Sequence, residues 1–168
     1  MLSEVDGRAP GNAAPAYLEI IRIRDSVVVS FQSAFEHDAI LRLRQREIWR
    51  RTRRILRHVG EPFVRIEGSA VELSGQSGSA DLIHDLERTV RKIALRPLTP
   101  AMVQEVLGIT GRERARWAKD GRFAPTGMVE VNRGQSFRFG TYAAADVRRL
   151  LDDPSIVAAW RDADRNEV

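Results

Sequence analysis

The spacing of apolar positions along this chain changes several times, and each change marks a boundary between predicted elements. Residues 17–24 and 26–31 are rich in β-branched and aromatic side chains and predict two strands broken near Asp25. Helical spacing follows. Leu41, Ile48, Thr52, Ile55 and Val59 form one stripe in a stretch, 36–58, that holds neither Pro nor Gly. That pattern predicts a single long helix with a core-facing side, stopped by Gly60 and Pro62. Residues 63–66 and 70–73 then predict a hairpin about Gly68-Ser69, with a loop over 75–78. Ser79 is placed to cap a helix running to about Leu95, with Leu82, Leu86, Val90 and Ile93 on its buried side. Residues 1–15, rich in Gly, Ala, Pro and Asn, read as a leader that buries little.

A second unit begins where prolines interrupt the helical pattern. Pro97 disfavours helix at Arg96, and Pro100 suits the first turn of a new one with Thr99 as its cap. Met102, Val103, Val106 and Leu107 make that helix amphipathic, and Gly108 stops it. Ile109 falls in a tight turn, Thr110 or Gly111 caps a second helix over 112–120, and Gly121 ends it. Two short helices about such a turn form a helix-turn-helix pattern. Residues 128–132 and 135–139 predict two strands about Arg133-Gly134, and Tyr142 leads into a helix ending near Leu151. A final helix, 153–165, begins at Asp153-Pro154 and carries Ile156, Val157 and Trp160 as a narrow apolar stripe. It is expected to dock on the unit before it.

These residues resemble the winged helix-turn-helix of MerR-type regulators and of phage and plasmid excisionases. The likeness covers about residues 98–151. It rests on Val106-Leu107-Gly108-Ile109, on Arg116-Trp117-Ala118-Lys119-Asp120-Gly121-Arg122-Phe123, on Arg138-Phe139, and on Tyr142 with Asp146-Val147 and Leu150. Family members carry a buried β-branched residue three positions before the tryptophan; this chain has Arg114 there. The resemblance implies DNA binding, with the second helix in the major groove and its N-terminal residues at base edges.

Charge sharpens that expectation. The chain of 168 residues has a net charge of +4, but residues 31–60 carry +5 and 99–151 carry +4. Where basic charge sits matters more than its total. Arg112, Arg116 and Lys119 share one face of the second helix. Arg112 and Arg116 are the candidates for bases, each able to donate two bonds to guanine. Glu113 could accept from a cytosine amino group or cap its own helix. Lys119 and Arg122 suit phosphates, and Arg133 and Arg138 on the wing suit backbone or minor groove. Trp117, Phe123, Phe137 and Tyr142 are expected in the core. Arg42, Arg46, Arg50, Arg53 and Arg57 follow helical spacing on the earlier long helix and form a ridge for accessory phosphate contacts.

Other chemistry finds little footing. The absence of cysteine excludes disulfides and thiolate metal sites and suits a reducing cytosol. Asp81, His84 and Asp85 have metal-compatible spacing but no fourth ligand in sight. Gly75-Gln76-Ser77-Gly78 lacks the Lys-Ser/Thr ending of a phosphate loop. No nucleophile, base and orienting group occur as a recognised motif. No catalytic residue, metal or cofactor is therefore expected. No apolar run is long enough to cross a bilayer and no secretory pattern opens the chain.

The expected protein is α+β: a leader (1–15), a mixed α/β module (16–95) able to dimerise or touch DNA, a winged helix-turn-helix (98–151) and a C-terminal helix (152–168). It would be cytoplasmic and nucleoid-associated. Its expected partner is double-stranded DNA, bound as a homodimer or cooperative assembly, in transcription regulation or as a recombination or replication accessory factor of a mobile element. The rivals are a protein–protein interaction module using the winged fold and an RNA-binding protein using the arginine-rich helix.

Overall fold

The computed structural model describes residues 17–59, 63–74, 80–132 and 136–166. The 1–15 leader, the Gly60 and Pro62 stop, the 75–78 loop, the Ser79 cap and Arg133 lie outside the described residues. Within them the chain is α+β, with eight helices and two antiparallel sheets. No helix among these residues is long and apolar enough to cross a membrane.

The first sheet starts with a hairpin, β1 (Glu19–Ile23) and β2 (Ser26–Ser30), turning at Arg24 with a positive φ of 47°. A second hairpin, β3 (Phe63–Glu67) and β4 (Ala70–Ser74), inserts β4 beside β2, giving the order β1-β2-β4-β3. Val27, Val29, Val71 and Leu73 alternate onto one face and are buried. That face packs on helices, as the period-two pattern requires. β1 stands at the edge, and Ile20, Ile21 and Ile23 on it are exposed.

The predicted helix over 36–58 is three helices, which corrects the reading from periodicity. They are α1 (Gln32–His37), α2 (Ala39–Leu43) and α3 (Gln45–Val59). Asp38 interrupts the first pair: its backbone is extended, and its carboxylate accepts from the Ile40 and Leu41 N–H groups at 2.8 and 3.0 Å. It thus caps α2 in place of continuing α1. Arg44 interrupts the second. Its buried guanidinium donates to the carbonyls of Ile93, Arg96 and Pro97, the last two at 2.9 Å. Those carbonyls close the next long helix, α4 (Ala80–Ala94), and the segment after it, so Arg44 caps a distant helix end. Burial holds the Arg44 guanidinium below its ordinary pKa, and Glu47 partly opposes this.

Two buried clusters follow. The first joins the sheet to α1, α3 and α4 through residues such as Phe31, Ile48, Leu56, Leu86 and Ile93. The second begins at Leu98 and gathers Val103, Trp117, Tyr142, Val147, Leu150 and Val157. Ile40 of α2 belongs to this second cluster, and Arg148 reaches back to Asp38 at 2.9 Å. The Arg96-Pro97 break thus separates the cores while side chains still join the surfaces.

Candidate functional site

The second cluster draws on α5 (Pro100–Leu107), α6 (Gly111–Lys119), α7 (Ala144–Asp152) and α8 (Pro154–Asn166), and the strands β5 (Gly127–Asn132) and β6 (Ser136–Thr141) lie between its residues Phe123 and Tyr142 in the chain. Local chemistry fixes the turn between the first two helices. Thr99 caps α5 by accepting from the Met102 N–H, and Pro100 takes the first turn. Gly108 ends it with a φ of 59°, a left-handed conformation that costs a side-chain-bearing residue about 1 kcal/mol or more. Ile109 is buried two residues before α6 begins. Thr110 and Glu113 then form a reciprocal capping box, with N–H to oxygen distances of 3.1 and 2.6 Å.

Trp117 orients α6. It is fully buried, meets the Trp160 ring edge-on at 5.1 Å and donates its indole N–H to Asp164 at 3.0 Å. Phe123 follows α6, is buried, and stacks on Tyr142 with ring centroids 4.6 Å apart. Its N–H returns to the Trp117 carbonyl at 2.8 Å. Arg114 fills the position where the resemblance leads one to expect a β-branched residue. Its guanidinium donates to the Tyr142 hydroxyl at 2.9 Å, so a polar contact replaces an apolar one there. On either side of Trp117, then, α6 is held by Tyr142 and by α8. Arg112, Arg116 and Lys119 remain exposed on the opposite face.

The hairpin β5–β6 extends from the same core. Leu98 and Tyr142 exchange backbone hydrogen bonds at 2.8 and 3.0 Å beside its base. Gly140 lets Pro125 lie against it: a Cβ at Gly140 would stand 2.6 Å from the proline ring. Phe137, expected in the core, is 56% exposed. It pairs across the strands with Val131, on the hairpin face that meets the core at Thr141. That face stays apolar toward the tip, beyond the reach of the core, so alternation alone misplaces Phe137.

The predicted site residues therefore divide. Arg112 and Lys119 have neither hydrogen bond nor ion pair among the described residues. Arg116 is 54% exposed and rests against Asp164 at 3.1 Å. Arg138 is exposed and pairs with Glu130 at 3.1 Å. Ser136 and Arg138 hold the Glu130 carboxyl below its usual range. One expectation requires correction. Arg122 is not a free phosphate ligand: it donates to Asp120 at 2.8 Å, to Asp164 at 2.6 Å and to the Trp160 carbonyl at 3.2 Å. Those hydrogen bonds, Asp120 first, raise its pKa. Of the two roles expected for Glu113, it takes the helix cap: it closes the capping box and also accepts from Arg161 at 2.7 Å. The Arg161 bond is the chief cause of its lowered pKa.

Asp164 was missed by sequence reasoning. This buried carboxylate on α8 joins Trp117, Arg116 and Arg122. The Arg122 hydrogen bond, then the Trp117 N–H and the Arg116 charge, hold it below the usual carboxylate range. A signal was present: Val157, Trp160 and Asp164 are spaced by three and four, so an acid prolongs an apolar helix stripe.

The predicted basic ridge is also redistributed. Arg42 lies on α2, whereas Arg46, Arg50, Arg53 and Arg57 lie on α3, because Arg44 breaks the helix between them. Comparison with protein-family models, with curated proteins and with solved structures finds no match to this chain.

Proposed function

We propose that this chain is a sequence-specific DNA-binding protein whose 98–151 segment is a winged helix-turn-helix. In this reading α5 lies over the backbone, α6 enters the major groove, and β5–β6 is the wing. One observation carries it: α6 is locked by Trp117, Arg114 and Glu113 on its inner sides and leaves Arg112, Arg116 and Lys119 together on its open side. A rigid helix with an open cationic face is what direct readout requires, because arginine discriminates bases only when its approach is fixed. Arg112 and Arg116 address bases, Lys119 addresses phosphate, and Arg138 with the Phe137 tip reaches the neighbouring backbone or minor groove.

The role is that of a regulator of transcription or an accessory factor in recombination or replication, without catalysis of its own. One α6 spans too few base pairs for genomic specificity, so two copies are expected on a site. The edge of β1, unpaired among the described residues and carrying three exposed isoleucines, favours a second copy joined there. The interaction-module reading has less support. It relies on the 143–145 alanines and Trp160, yet Ala144 is buried and Trp160 packs on Trp117 and Phe123.

The test is selection of bound duplexes from a random pool, followed by Arg112→Ala on the enriched site. The expected loss is about 5- to 150-fold on that site, from about 1–3 kcal/mol per base contact, with little change on random duplex. A pool that never enriches would overturn the reading.

A further inference from the structure

We infer that the exposed ridge of α3 is a second DNA site, one that takes the sugar–phosphate backbone of a duplex without reading its sequence. The inference shares with the reading above only the duplex as partner; α6 is not needed for it.

The ridge stands out by its lack of partners. α3 carries six arginines against one acid, Glu47, and Glu47 is engaged by Arg96. Arg46, Arg50, Arg53, Arg54 and Arg57 line one open groove with Trp49, and none of the five makes an ion pair among the described residues. Several arginines elsewhere are tied to acids, as in Arg88–Asp85, Arg122–Asp120 and Arg148–Asp38; α3 differs in placing five without an ion pair among the described residues in one row. Like charges three and four residues apart weaken a helix, by about 0.2–0.5 kcal/mol per pair. An array of them with no internal counter-charge is stabilised when a polyanion covers it.

The form of the groove narrows the partner. Trp49 sits at its floor, half-buried, with its ring edge-on to Phe31 at 5.1 Å, which ties the base of the ridge to the core. Ile48 and Leu56 of α3 are wholly buried, and Trp49 and Ile55 pack partly buried on the same core. Among the described residues α3 thus offers no free apolar face to a lipid surface. No hydrogen bond among the described residues holds these arginine side chains, so they do not form a preorganised pocket for a single phosphate. They form a line. Arg46 to Arg57 covers about 16 Å at the helical rise. A duplex offers a phosphate on each strand about every 3.4 Å of its axis, so the line can meet several in succession. Arg46 also borders the adjoining cleft with Arg42, Leu43, Glu105 and Val106. The cationic strip thereby runs from α3 to Arg42 of α2 and stops at α5, which has no basic residue and presents Glu105 to this cleft.

The experiment titrates the full chain with random-sequence duplex DNA at several salt concentrations. The variant replaces Arg46, Arg50, Arg53 and Arg57 with Gln together. Its plot of log affinity against log salt should be flatter by about 3–4 than that of the parent, at about 0.9 for each phosphate left without its arginine. Replacing the same four by Lys should keep the slope, and far-UV circular dichroism checks that each variant is folded. Arg112→Ala, run alongside, should lose preference for a selected site and keep most of the slope. If the Gln variant keeps the parent slope while Arg112→Ala abolishes sequence preference, the second site is wrong and the α6 reading stands. If no duplex is preferred yet the Gln variant flattens the slope, the α6 reading fails and the second site stands. If the parent binds no duplex at any salt, both are overturned.

Discussion

Two helices of this chain carry clustered arginines and treat them in opposite ways. Around α6, carboxylates on the helix, at its C-terminal end and on α8 sort the cations. Asp164 takes Arg122 and the inner side of Arg116, Asp120 takes Arg122 again, and Glu113 takes Arg161. Arg114 turns inward to Tyr142. What remains outside is a small set, Arg112, Arg116 and Lys119, of which Arg116 is anchored by Asp164. Along α3 the only acid is engaged by Arg96, and the ridge arginines stand in solvent. An oriented guanidinium can discriminate between hydrogen-bonding patterns, whereas an unoriented row supplies attraction that salt screens. The same residue type thus suits recognition in one place and affinity in the other, because of what surrounds it.

The contrast can be tested through stability, since a tied arginine should matter to folding and a free one should not. The largest effect is expected at Arg44. Arg44→Met leaves the Ile93, Arg96 and Pro97 carbonyls without their donor and should lower unfolding free energy by about 3 kcal/mol. Urea denaturation measures this; a loss below about 1 kcal/mol would mean that water replaces the guanidinium freely. Asp164→Asn comes next. It weakens the ties to Arg116, Arg122 and Trp117 together and should lower the melting temperature by a few degrees. With Arg116 no longer anchored, discrimination between duplexes should fall more than affinity for random DNA. An unchanged preference would remove Asp164 as the positioning residue of Arg116.

Acid should act like that substitution. The folded-state pKa of Asp164 is depressed, so its contribution is complete above the ordinary carboxylate value of about 4 and is lost as pH falls through the depressed value. Fluorescence of Trp117 and Trp160 followed through that acid range should show a transition that Asp164→Asn lacks. The smallest effect belongs to the ridge. Arg50→Gln with Arg57→Gln should leave stability unchanged or raise it by about 0.2–0.5 kcal/mol for each like-charge pair relieved. A clear loss in urea would show that the ridge has a folding role and would erase the contrast with α6.

Much of the region around α6 was legible because its signals act within a few residues. Thr99 with Pro100, the Gly108 stop and the Thr110–Glu113 box each close within a turn, and all three occur as local chemistry requires. The basic face of α6 followed from spacing alone. The α3 ridge was legible only in part, because helical periodicity runs unbroken through Asp38 and Arg44. Phe137 was misplaced for a related reason: alternation tells which hairpin face is apolar, not how far the core beneath it extends.

The amino-acid sequence by itself determined the α+β character of this protein, the ends that α5 and α6 share about their turn and the concentration of positive charge in two stretches. These depend on hydrogen bonds and side-chain periods confined to neighbouring residues. Only the tertiary structure decided which arginines are free. The acceptors of Arg44 lie about fifty residues along the chain, and Asp164 lies 47 from the tryptophan it holds. A period in the sequence identifies a face, but the groups that meet that face are chosen by how distant segments pack.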